Sequence, residues 1–382
     1  MRLSKFRWLR SLFGGNKRRR PFRWVEHFRR LQLERLEDRL APAVSANLDG
    51  NHVLNINLNA DGDAAKISIV GSNIQVANGA NAVVFSGPAT SVSSINAQGT
   101  VTLPSTTSES VTLTGAIALT NPLSLTASNL SYLTLTGFYS DVSANDTITI
   151  DSPAAGQSEI SGASGGVNFG NVTFQNTAHV TIDNNQTRSN GAADTVSFAS
   201  TLAATGLQDL TIKTGAGDDI VDLDALGSTN SVAVTVDLGA GNNELIGPAA
   251  GGVWNFTAHD AGSLQIGTGT VTFSGATTIT PAGPNSSGFD LGTPGDDTLT
   301  ATPNETLYGL GGNDTFVFLD NFGQDTVVEP AGLGNDTLDF SAVTANLTFT
   351  INTDGSIDVA DNTNPLNTVH ASNVQNLIGG QG

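Results

Sequence analysis

Leu210-Thr211-Ile212-Lys213-Thr214-Gly215-Ala216-Gly217-Asp218-Asp219 recurs as Val234-Thr235-Val236-Asp237-Leu238-Gly239-Ala240-Gly241-Asn242-Asn243. Each copy alternates apolar and polar residues and then runs into a glycine-rich acidic turn. Alternation with β-branched residues is strand chemistry, because successive side chains of a strand point to opposite faces. Gly215 and Gly239 lie 24 positions apart, which suits one coil of a β-helix, where no coil buries its inward face without its neighbours. Two similar hairpins in one sandwich would give the same local pattern, and the repeat alone leaves both open.

The same alternation runs through the sequence from Val44 to about Thr280, in Lys66-Ile67-Ser68-Ile69-Val70, Val111-Thr112-Leu113-Thr114, Leu123-Ser124-Leu125-Thr126, Tyr132-Leu133-Thr134-Leu135-Thr136 and Asn171-Val172-Thr173-Phe174. Amphipathic helical spacing is absent after Pro42. Aromatics make up 6% of the 382 residues, which favours thin repetitive sheets over one thick core. Trp254 and Phe256 stand apart from any aromatic stripe and read as coil core.

Charge is divided unevenly. Met1 to Leu40 carries 13 of the 16 Lys and Arg and 4 of the 35 Asp and Glu. After it the only bases are Lys66, Arg188 and Lys213. So acidic a body repels phosphate backbones and anionic membranes and attracts divalent cations, which excludes nucleic acid as its partner and favours calcium. With no cysteine, thiolate metal sites, disulfides and thiol catalysis are ruled out and oxygen ligands remain. No apolar run approaches the ~18 residues of a membrane span.

The basic head reads as a helical or disordered segment over residues 1–44. Trp24, Phe28 and Leu31, then Leu33, Leu36 and Leu40, follow helical spacing, and Pro42 ends it. It looks like a targeting segment, although no apolar core follows Arg18-Arg19-Arg20 as a secretory signal requires. Leu33-Glu34-Arg35-Leu36-Glu37-Asp38-Arg39-Leu40-Ala41-Pro42 resembles an element near the N-termini of large planctomycete surface proteins, which implies a β-rich repetitive ectodomain behind it.

Residues 285–382 carry a nonapeptide of the form G-G-x-G-x-D-x-U-x. Gly292-Thr293-Pro294-Gly295-Asp296-Asp297-Thr298-Leu299-Thr300 and Gly309-Leu310-Gly311-Gly312-Asn313-Asp314-Thr315-Phe316-Val317 both match except at the second glycine. Pro303-Asn304-Glu305-Thr306-Leu307-Tyr308 is a decayed copy, Ala331-Gly332-Leu333-Gly334-Asn335-Asp336-Thr337-Leu338-Asp339 a further one, and Gly323-Gln324-Asp325-Thr326-Val327 a weaker one. Upstream, Gly215 to Val221 fits, with Asn243 replacing aspartate in the next copy. Calcium takes six to eight oxygens, more than one short loop supplies, and stacked loops pool carboxylates and glycine-exposed carbonyls. Without a cation the carboxylates repel one another, so binding and folding are expected to be coupled.

This stretch is similar to the haemolysin-type, or repeats-in-toxin, calcium-binding family. Asn373-Val374-Gln375-Asn376-Leu377-Ile378-Gly379-Gly380 looks like the family element that leads into another repeat. The resemblance implies a calcium-dependent parallel β-roll outside the cell. It places Ca2+ ligands at Asp219, Asp297, Asp314, Asp325 and Asp336, with Gly295, Asp296, Gly312, Asn313, Gly334 and Asn335 in the same loops. The whole is expected to be an all-β parallel β-solenoid, a β-helix over 45–284 continuing into a calcium β-roll over 285–382. Ending at Gly379-Gly380-Gln381-Gly382, before the next aspartate, the chain reads as truncated.

Catalysis finds little support in the sequence. Gly162-Ala163-Ser164-Gly165-Gly166 satisfies G-x-S-x-G without the strand-to-helix turn that motif needs. His27, His52, His179, His259 and His370 are scattered. A β-helix polysaccharide lyase or hydrolase is the rival reading, with Lys213 near Asp218 and Asp219 as its one suggestive grouping. The residues favour a secreted or cell-surface structural or adhesive protein without catalytic activity, with extracellular polysaccharide or cell-surface components as partners besides calcium.

Overall fold

The computed structural model describes residues 44–101, 108–114, 123–136, 145–184, 191–280 and 288–382. The basic head and Arg188 lie outside them. The described residues form an all-β parallel solenoid, and all of them fall within one compact unit, Pro42–Gly382.

Its strands stack in rows, one strand per coil. One row runs through Ala64–Val70, Ser110–Thr114, the second half of Ser124–Thr136, the second half of Val172–Asp183, Asp209–Lys213, Ala233–Asp237 and Gly269–Ser274, all parallel. A second runs through Asp146–Asp151, Thr195–Phe198, Ile220–Asp222, Glu244–Ile246 and Thr278–Thr280. Leu210 pairs with Val234 in parallel, so the 24-residue repeat is a coil and the sandwich alternative is excluded. The alternation decides which side chains go inside. Val180, Leu210, Val234 and Val271 are stacked inward and no more than 1% exposed, each worth about 1.5–3 kcal/mol of burial. Thr181, Thr211, Thr235 and Thr272 line up outward one residue further on.

Corners are turned by asparagine. Within the long strands Ser124–Thr136 and Val172–Asp183, Asn129 and Asn176 have φ of 56° and 48°, a left-handed conformation asparagine tolerates better than most residues. Asn176 Nδ2 donates to Asn129 Oδ1 at 3.2 Å, so the bend repeats in the adjacent coil. Antiparallel hairpins leave the stack at intervals, as in Ala64–Val70 with Asn73–Asn78 and in Val253–Ala258 with Ala261–Ile266, and they interrupt the sequence period.

The last coils form two rows: Phe289–Leu291, Thr306–Tyr308, Gln324–Val328 and Thr368–Ser372 on one side, and Thr298–Thr300, Thr315–Val317, Thr337–Asp339 and Asn376–Ile378 on the other. Leu299, Phe316 and Leu338, the apolar residues of the nonapeptides, point inward together with Phe318, Phe322 and Phe340. An aromatic seam joins these coils to the preceding ones. Trp254 and Phe256 do not stand alone: Phe256 lies 4.7 Å from Tyr308 and 5.2 Å from Phe289 between ring centres, and the Tyr308 hydroxyl donates to the Trp254 carbonyl at 2.9 Å. Among the described residues no helix is long and apolar enough to cross a membrane.

Candidate metal centre

The sixth-position aspartates of the nonapeptides stand one above another where the chain enters the Thr298–Thr300 row. Asp314 Oδ1 accepts the backbone N–H of Asp297 at 2.8 Å, Asp336 Oδ1 that of Asp314 at 3.0 Å, and Gln375 Oε1 that of Asp336 at 2.7 Å. Asp314 and Asp336 of this inner ladder are buried, whereas Asp297 is half-buried and Gln375 exposed. An outer, exposed ladder runs beside it: Asn313 N–H donates to Asp296 Oδ1 at 2.7 Å and Asn335 N–H to Asn313 Oδ1 at 3.0 Å. Gly295, Gly312 and Gly334 bring the coils this close. A Cβ on Gly334 would lie 1.7 Å from the Gly312 carbonyl oxygen, and one on Gly312 would lie 2.4 Å from the Gly295 carbonyl carbon.

Asp219 belongs to a separate ladder in the upstream coils. Asn243 Oδ1 accepts its N–H at 2.9 Å, Asp219 Oδ1 accepts that of Asp194 at 2.7 Å, and Asp194 Oδ1 that of Asp146 at 3.0 Å. Sequence reasoning missed Asp146 and Asp194 because no glycine nonapeptide precedes them. The signal was present, since Asp146-Thr147-Ile148 and Asp194-Thr195-Val196 carry the same Asp-Thr-apolar entry into a strand as Asp297, Asp314 and Asp336. Asp325 lies in neither column. It is on the opposite row of the last coils, where its Oδ1 accepts the Glu305 N–H at 3.0 Å and its Oδ2 is buried without a hydrogen-bond partner. Burial pushes its carboxyl up to about 6.

The structure brings Asp314 and Asp336 together with Glu329, a residue the motif does not contain. One carboxylate oxygen of each lies within 4.8 Å of the other two, and all three residues are buried. Burial, reinforced by the Asp336 and Asp314 carboxylates, pushes Glu329 up to about 8. Burial also raises Asp314 to about 6, with Asp336, Asp297 and Asp296 adding to it and the Asp297 N–H opposing. No Lys or Arg occurs between Pro281 and Gly382, so the charge has no basic partner in these coils. Carboxylate oxygens alone are a hard-cation donor set, and Asp314, Glu329 and Asp336 fit a calcium ion.

The catalytic candidates are placed differently. Ser164 ends the strand Ser158–Ser164, which turns directly into Val167–Asn168, a hairpin and not a strand-to-helix elbow; its hydroxyl is buried. Beside it a cavity of about 420 Å³ is lined by Thr147, Ser161, Gly162, Ala163, Asn168, Phe169 and Asn171, none of them titratable. Lys213 stands in register between Asp183 and Asp237 on adjacent strands, the arrangement of a cross-strand charge ladder. His179 stacks on Tyr132 with ring centres 4.7 Å apart and its Nδ1 lies 2.5 Å from Asp209 Oδ2, while His370 Nδ1 lies 2.6 Å from Asp358 Oδ1.

Fold and carboxylate ladders together define a β-solenoid with an acidic, oxygen-lined turn region. No family model matches the chain, and no curated protein does. Among solved structures it is similar to the extracellular lipase LipA from Serratia marcescens, at 16% identity over 52% of this chain and with a TM-score of 0.21. The chain spans 38% of the length of that lipase. The expectation of a protein without catalytic activity is withdrawn: that solved structure is an enzyme, and a likeness this slight neither supports the expectation nor assigns an activity to this chain. At this level of similarity neither the lipase's substrate nor any of its residues carries over.

Proposed function

We propose that the chain is a calcium-binding β-solenoid that works outside the cell, secreted or at its surface, in a structural or adhesive setting. The observation that carries this reading is the inner ladder Asp297, Asp314, Asp336, whose members stack in consecutive coils with no Lys or Arg in the surrounding sequence. Burying several carboxylates without a counter-charge costs several kcal/mol per ion, and a divalent cation offsets that cost. The exposed carboxylate and amides of Asp296, Asn313 and Asn335, with the glycine carbonyls of the same turns, supply further oxygens of the kind calcium takes. Millimolar external calcium fills sites with dissociation constants of about 10⁻⁴–10⁻³ M, which cytosolic calcium leaves empty. Outward columns such as Thr181, Thr211, Thr235 and Thr272 offer an extended polar face to a polysaccharide or another surface component.

The test is a calcium titration of the full chain from excess chelator, followed by circular dichroism and thermal melting. Calcium is expected to raise the melting temperature, and magnesium to do so poorly because it demands near-ideal octahedral geometry. Identical melting in chelator and in millimolar calcium would remove the reading.

A further inference from the structure

Glu329 lies outside every nonapeptide, yet it occupies a defined place in the coil. Val328 pairs with Tyr308 in parallel, so Glu329 leaves its strand where the preceding coil has Gly309, the first glycine of the nonapeptide Gly309–Val317. A Cβ on Gly309 would meet Glu329 Oε1 at 1.9 Å and Asp314 Oδ2 at 2.4 Å. The two carboxylates therefore share the space that Gly309 leaves by having no side chain.

Asp314, Glu329 and Asp336 are 0%, 3% and 1% exposed. Glu329 Oε1 and Asp314 Oδ2 are both buried with no hydrogen-bond partner. An unpartnered buried carboxylate oxygen is costly, and two of them directed at one space need a ligand that accepts electron pairs. One carboxylate oxygen of each residue lies within 4.8 Å of the other two, close enough for a single ion to touch all three, and calcium accepts an irregular set of oxygens where magnesium demands near-ideal octahedral geometry.

We propose that Asp314, Glu329 and Asp336 form a buried calcium site in which Glu329, arriving from the Gln324–Val328 row, ties that row to the Thr315–Val317 and Thr337–Asp339 row through the ion. It rests on the calcium reading above and adds a ligand that the repeat motif does not supply. The ion joins the two walls of the solenoid at this coil, while the exposed turn loops hold theirs along one edge.

Isothermal calorimetry of the full chain with calcium chloride, on the wild type and on Glu329→Gln, tests the site. Glutamine keeps the shape and removes the charge, so the variant is expected to bind about one calcium fewer per chain and to melt no lower than wild type in chelator. Unchanged stoichiometry and affinities in Glu329→Gln, with calcium bound by the wild type, overturn the site and leave the general reading standing. No calcium binding by the wild type overturns both. Should Glu329→Gln fail to fold, Glu329→Asp decides on the same terms: it keeps the charge but withdraws the carboxylate by one methylene, and the loss of the same ion is expected.

Discussion

Asn243 Oδ1 accepts the backbone N–H of Asp219 at 2.9 Å, doing with an amide what Asp336 Oδ1 does for Asp314 at 3.0 Å. The Asn243 side-chain nitrogen then donates to the Gly275 carbonyl at 2.9 Å, so the upstream ladder closes without the extra charge. The sixth position thus has two separable roles, a hydrogen-bond acceptor between coils and a carboxylate for a cation.

Asp336→Asn should keep the first role and lose the second. In chelator it is expected to be as stable as wild type or more so, and in calcium to show a much smaller rise in melting temperature. Asp336→Ala should also leave the Asp314 N–H unsatisfied, at a cost of about 1–3 kcal/mol in denaturant unfolding. Equal behaviour of the two variants in chelator would show that the ladder contributes nothing.

In chelator, stability should fall as pH rises from about 5 to about 8. The folded chain holds protons on Glu329, raised to about 8, and on Asp314 and Asp325, raised to about 6, that the unfolded chain has already released. Wherever the folded state binds more protons, stability declines with rising pH, and the contribution is complete only below the unfolded values near 4. Calcium displaces those protons, so its affinity should rise over the same interval. Melting curves in chelator and in calcium across this range check both slopes.

Phe340 stacks on Phe318 with ring centres 4.5 Å apart and is fully buried. Phe340→Ala should cost about 3–5 kcal/mol by removing its burial and leaving a cavity among Phe318, Phe322 and Phe349. Denaturant unfolding in saturating calcium measures it, since ion binding then remains constant between the two proteins.

Gly239 has φ of 70°, and a Cβ there would lie 1.7 Å from the Gly215 carbonyl oxygen of the preceding coil. Gly239→Ala should destabilise the upstream coils by more than the ~1 kcal/mol of left-handed strain, because the backbones must also separate. Gly332, with φ of 78° but nothing within 4 Å, is the control: its alanine variant should carry the strain alone. Similar losses in both would assign the effect to backbone strain.

The sequence by itself determined the strand chemistry, the 24-residue coil and the stacked Gly-Asp turns, since each depends on residues close along the chain and on a period that repeats. Alternation put Leu210 and Val234 inside, and the tight glycine turns announced the close approach of coils. What only the tertiary structure decided is which carboxylates meet. Hairpins inserted between coils, such as Leu347–Ile351 with Ile357–Asp361, put Gln375 39 residues from Asp336, so the ladder continues where the sequence period is broken. Asp325, read as a weaker copy of Asp314, falls on the opposite row because its strand pairs with Thr306–Tyr308. Glu329 has no motif around it and enters the centre only because the parallel register sets it over Gly309. Register is fixed by burying the alternating apolar face of every coil at once, and that is a property of the whole stack.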